Sequence, residues 1–173
     1  MPLLLLLVFG ILEYGLVFRT NLSISESTRA GARVAVAQPR VAGYELSASA
    51  AVSGALASAG IPGDDIELLV IYKADPQTGR TIVGGDPSAC VADCWKFRWD
   101  EGTRSFLLAG DSPSWDAGSQ AACGSADKTD YLGVYVRAKY DFVTGFFGSS
   151  MTMTERSVMR LEPLPLADTC APA

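Results

Sequence analysis

Few side chains in this sequence have the chemistry for catalysis or ligation. The 173 residues contain no histidine, which removes the usual general base and the commonest metal ligand. What remains is four cysteines, one acid inside an apolar run, and one aromatic stripe. Cys90, Cys94, Cys123 and Cys170 are an even set in a small, loop-rich chain, which predicts two disulfides formed in an oxidising compartment. Three pairings are open. A four-cysteine zinc site competes with this reading, but its ligands come as two close pairs and here only Cys90 and Cys94 are close. Cys90-x3-Cys94 is also one residue too long for a redox C-x-x-C motif.

Glu13 lies within an otherwise apolar run, where an acidic group costs about 2.5–3.5 kcal/mol at a membrane centre. Two readings stay open: a charge that pairs with another subunit during assembly, or a residue placed near the headgroups beside Tyr14. Trp95, Phe97 and Trp99 alternate with Lys96 and Arg98, the period of a half-buried strand. Such a stripe either belongs to the core, its commoner use, or forms an exposed binding face for sugar or surface. There is no G-x-S-x-G, P-loop, dinucleotide fingerprint or H-E-x-x-H. Asp64, Asp65, Asp75 and Asp86 lack the alternating pattern of an EF-hand and read as loop solubility. No enzyme, metal or cofactor is therefore expected.

Charge narrows the partners. From Ile61 onward sixteen acidic residues face ten basic ones, whereas Met1–Gly60 has three against four. An acidic domain has no electrostatic footprint for nucleic acid, so that class is set aside.

The elements that must position these groups begin with the N-terminus. Leu3 to Phe18 is apolar on every side apart from Glu13, and such a helix needs lipid or a large core. It would span roughly 24 Å, against ~30 Å for a bilayer's hydrocarbon layer. A secretory signal fits poorly, since no basic residues precede the leucines and no small-x-small site follows them. From Arg19 to Ala37 the chain stays helix-compatible, with Glu26 and Arg29 spaced to pair. The reading is a transmembrane segment over 1–18, a helical stalk over 19–37, and one domain over 38–173. Arg19, Arg29 and Arg33 follow the apolar run and would by themselves place that domain inside. The cysteines place it outside, and we give them more weight because charges upstream of Met1 would escape the count.

Pro39 ends the first helix. Tyr44 to Ala59 predicts an alanine-rich second helix, closed by Gly60, Pro62 and Gly63. Strands are predicted at Ile66–Lys73, briefly at Thr81–Val83, at Trp95–Asp100 and Arg104–Leu108 as a hairpin, at Tyr131–Phe142, and at Met151–Leu161. The last residues read as a tail. The fold class is α+β: a long N-terminal helix, a short second helix, and a mostly antiparallel sheet of four to five strands.

The run PLLLLLVFGILEYG, followed by Ser27-Thr28-Arg29-Ala30-Gly31-Ala32-Arg33, resembles the TadE-like family of minor pilins, or pseudopilins, of bacterial tight-adherence pilus systems. The closing segments GVYVRAKYDF and MTMTERSVMRLEP are similar to the family's last pair of strands. Cysteines and tryptophans spaced as in Cys90 to Trp99 are similar to its actinobacterial versions. The resemblance implies a single-pass membrane protein with an extracytoplasmic domain, working beside other pilins and platform proteins in building a surface-attachment pilus. It implies assembly roles for Glu13, Gly15, Arg29, Gly31 and Arg33. The family is processed at a glycine followed five residues on by glutamate, whereas Gly10 here precedes Glu13 by three. Either the start lies upstream of Met1 or this chain is not processed. The competing function is a membrane-anchored extracytoplasmic module that binds a ligand or envelope polymer without catalysis.

Overall fold

A computed structural model describes residues 2–83, 85–100, 102–110, 112, 114–123, 128–145 and 148–165. Helix α1 runs unbroken from Pro2 to Val36, and among the described residues its Leu4–Val36 portion is the one helix long and apolar enough to cross a membrane. A tight link follows. Arg40 sits in the left-handed region at φ 61°, and Gly43, at φ 83°, precedes helix α2, Tyr44–Ser58. That helix ends as its glycine foretells. Gly60 takes φ 73° and the Ile61 N–H reaches back to the Leu56 carbonyl at 3.1 Å, satisfying a carbonyl the helix leaves open.

Five strands make one antiparallel sheet: β1 Ile66–Ala74, β2 Cys94–Asp100, β3 Ser105–Leu108, β4 Tyr131–Asp141 and β5 Ser150–Arg160. Their spatial order is β3-β2-β1-β4-β5. The α+β class and the antiparallel sheet therefore stand as the sequence predicts. Thr81–Val83 is a correction: Thr81 makes only isolated bridges, to Ala74 and Gly85, and Ile82 and Val83 stay exposed. Two neighbouring glycines and Pro87 in this loop oppose a longer ladder.

β1 is buried on both faces because two different layers cover it. Leu69 and Ile71, with Phe97, Leu132, Val134 and Val136, meet α1 and α2 in the main core. Leu68, Val70 and Tyr72 face the other way and pack with Cys90 and Cys94. A register shift between Ile66 and Leu68 returns Ile66 to the helix side. Gly133 on β4 makes room for the Tyr72 ring, whose atoms stand 2.2 Å from where a Cβ would be. The Tyr72 hydroxyl donates to the Gly79 carbonyl at 2.8 Å.

The second half of α1 forms the spine of this domain. Ile24, Ser27, Thr28, Gly31, Ala32, Ala35 and Val36 are buried against α2, β4 and β5. The Ser27 and Thr28 hydroxyls donate to carbonyls three residues back, each at 2.7 Å, so burial leaves neither unsatisfied. At Gly31 a Cβ would come within 2.4 Å of Val52 Cγ2, which sets how closely the two helices approach. The segment after β5 is tied in rather than trailing. Leu161 is buried, the Glu162 N–H donates to the Val36 carbonyl, and Leu164 bridges Cys123.

Candidate functional site

The first half of α1 exposes most of its large apolar side chains. Leu4, Leu5, Leu6, Leu7, Ile11 and Leu12 are each more than half exposed. Among the described side chains of this stretch Glu13 alone is buried, at 2 % exposure. Its cover is the turn between β4 and β5. The Val143 N–H donates to Glu13 Oε1 at 2.8 Å, and the Thr144 N–H donates to Oε2 at 3.0 Å. Two amides thus share the two carboxylate oxygens, an arrangement that satisfies a turn and an acid at once.

β4 and β5 position that turn. They pair in register from Tyr131–Arg160 to Asp141–Ser150, so the turn projects from the domain end that α1 also leaves by. Tyr140 and Phe142 stack edge to face at 5.6 Å between centroids, stiffening its entry. Burial first, and the nearby Glu13 charge second, hold the Tyr140 phenol above its ordinary value. Shallow apolar grooves flank the contact. One is lined by Phe9, Leu12, Leu16 and Val143, the other by Tyr14, Val17, Phe142 and Met151. At the level where the apolar run stops, Arg19 Nη2 donates to the Ala59 carbonyl at 3.4 Å, beside the C-terminal end of α2, where a cation is favoured.

Residues 1–33 match the family model described as TadE-like protein. No curated protein and no solved structure matches the chain. The TadE-like segment holds all five of the assembly residues expected above, and the structure places them differently. Glu13 is held by two backbone amides of the β4–β5 turn. Gly15, two residues on, has open space around it. Arg29 is ion-paired with Glu26 at 2.9 Å on the exposed face, and Arg33 is exposed. Gly31 is buried in the α1–α2 contact of its own chain.

Beyond the TadE-like segment, Cys90 and Cys94 are bonded to each other. Cys123 is also disulfide-bonded, and Cys170 lies outside the described residues. The aromatic stripe faces inward. Phe97 is fully buried, Trp99 stacks edge-on against Phe106 at 5.4 Å, and Trp95 packs on the core. Trp95 Nε1 donates to the Trp115 carbonyl at 3.0 Å, an acceptor it shares with the Tyr44 hydroxyl at 2.8 Å. Asp75 accepts from Thr78 and Gln77, and Asp86 from Ser88; these bonds hold both carboxyls below their usual range. Both acids fix turns. Among the described residues no three His, Cys, Asp or Glu side chains come together.

Sequence reasoning missed the partner of Glu13, which lies 130 residues away. It also missed the clasp at the opposite end, where the Arg40 N–H donates to Gln120 Oε1 at 2.7 Å and Arg40 Nη1 to the Gln120 carbonyl. One signal bore on the first of these. From Phe142 to Thr154 the chain carries no charged residue, unusual for a turn and the ends of its strands.

Proposed function

We propose that this protein is a minor pilin, or pseudopilin, that takes part in assembling a tight-adherence pilus. Residues 1–18 anchor it in the membrane, and the α+β domain lies on the extracytoplasmic side. One observation carries the reading: a continuous 35-residue helix whose TadE-like portion begins bare and apolar and ends inside an α+β domain. A single rigid helix couples anchor and domain, so force or position in the membrane passes directly to the domain. The disulfide at Cys90–Cys94 supports an oxidising, extracytoplasmic setting. The role is structural and non-catalytic, with other pilins and platform proteins as partners.

The test is piliation of a strain lacking the chain. Re-expressed full-length protein should restore pili. The same domain secreted without residues 2–18 should not, although it remains folded and disulfide-bonded. Normal piliation without the chain, or full rescue by the anchorless domain, would sink the reading.

A further inference from the structure

The bond between Glu13 and the β4–β5 turn fixes the depth of that turn along α1. Arg19 is the first charged residue after Glu13 and marks where the apolar run stops. Arg19 is six helical steps beyond Glu13, so the Val143 and Thr144 amides lie roughly 9 Å toward the bare end of α1. At that depth α1 presents Phe9, Ile11, Leu12 and Leu16 outward. If those side chains face lipid, so does the turn beside them.

We propose that the start of the β4–β5 turn, at Val143 and Thr144, is a second membrane contact, with Val143 set into the boundary between headgroups and acyl chains and Glu13 holding it there. This rests on the membrane-anchor reading above. Three observations support lipid as the occupant. Val143 is 76 % exposed, with no part of the described chain covering it, while Met151 next to the turn is also exposed. Charged groups stop at Asp141, which pairs with Lys139 at 2.7 Å, and none recurs until Glu155. The apolar grooves on either side continue the surface of the anchor itself.

The Glu13 pairing also meets a requirement that only such a location imposes. Irregular backbone at membrane depth must find protein partners for its N–H groups, because lipid offers none. An ionised acid at that depth must likewise be hydrogen-bonded or paired. The carboxylate and the two amides answer both needs. In water either group would be served by solvent, and the placement would have no such use.

The experiment uses the full-length chain in phosphatidylcholine–phosphatidylglycerol vesicles. An environment-sensitive fluorophore is attached through Val143→Cys, Leu7→Cys or Gln77→Cys, the last on the turn at the far end of β1. Lipid-borne bromine should quench the label at 143 nearly as strongly as at 7 and several-fold more than at 77. Aqueous iodide should give the reverse order. If 143 behaves like 77 while 7 remains lipid-quenched, the turn lies in water and the inference fails with the anchor intact. If 7 is also untouched by lipid, the anchor reading fails and takes the inference with it. Shielding of 143 from both quenchers would mean that a second protein copy covers it, which overturns lipid as the occupant. In Glu13→Gln, lipid quenching at 143 should fall while that at 7 holds; an unchanged value would remove Glu13 from its positioning role.

Discussion

Along α1, residues 4–18 carry leucine, isoleucine, phenylalanine and valine and leave most of them uncovered, whereas residues 24–36 bury serine, threonine, glycine and alanine. Size and burial run opposite to their usual relation, and the partner of each half explains it. Under the membrane-anchor proposal, lipid rewards apolar area without asking for shape, so bulky side chains suit the first half. A neighbouring helix rewards close approach, so the second half is trimmed until Gly31 meets Val52 and the Ala48 carbonyl. Glu13 is the exception in the first half because the β4–β5 turn covers it. Mean hydropathy along a helix therefore says little about which half is inside the fold.

A leucine placed in each half of α1 should have contrasting consequences. Gly31→Leu should destabilise the domain by about 3 kcal/mol, since the added side chain has only packed Val52 and backbone to displace. Gly15→Leu, with nothing within 4 Å, should leave the domain's melting unchanged. Equal melting temperatures for the two variants would show that the α1–α2 contact does not limit stability.

Alkaline pH should separate the halves in a different way. Burial pushes the Tyr72 phenol from its ordinary 10 up to about 12. The neutral phenol is the form the fold holds, so its contribution is complete below pH 10. It is lost as the unfolded chain ionises between pH 10 and 12. The loss is on the order of 2–3 kcal/mol. In vesicles, circular dichroism should show the sheet signal failing across that window while the anchor half of α1 stays helical, its backbone bonds protected by lipid. Loss of all helix in step with the sheet would contradict the independence of the two halves.

A smaller effect is expected from the Cys90–Cys94 link, which closes a short loop over the second face of the sheet. Replacing both residues by alanine should cost about 2 kcal/mol through the freed unfolded chain, read as a lower denaturant midpoint with a slope that does not fall. The smallest effect is local. Glu13→Gln keeps one acceptor oxygen and loses the other, so amide exchange at Val143 and Thr144 should quicken about tenfold, equivalent to about 1.4 kcal/mol. Domain melting should not move. A shift in global stability instead would make Glu13 part of the fold rather than a tether between its halves.

The elements were largely legible because each rests on a local pattern. An uninterrupted apolar run, an alanine-rich stretch closed by Gly60, and the alternation from Leu132 to Ala138 define α1, α2 and β4 by period and punctuation alone. Thr81–Val83 misled because β-branched residues favour strands only where a neighbouring strand can pair with them.

An apolar helix leading into a small, acidic α+β domain without histidine can be read directly from the order and types of the residues. Those properties follow from composition and short-range periodicity. Only the tertiary structure decided that Trp95, Phe97 and Trp99 face inward, that Cys90 pairs with Cys94, and that Gly31 is spent on α2. It also decided that Glu13 meets Val143 and Thr144. Contacts between residues far apart in the chain depend on how strands and helices are brought together, and the donors at Glu13 are backbone amides, which every residue but proline possesses. A carboxylate leaves a mark in the sequence, whereas the amides that bind it leave none.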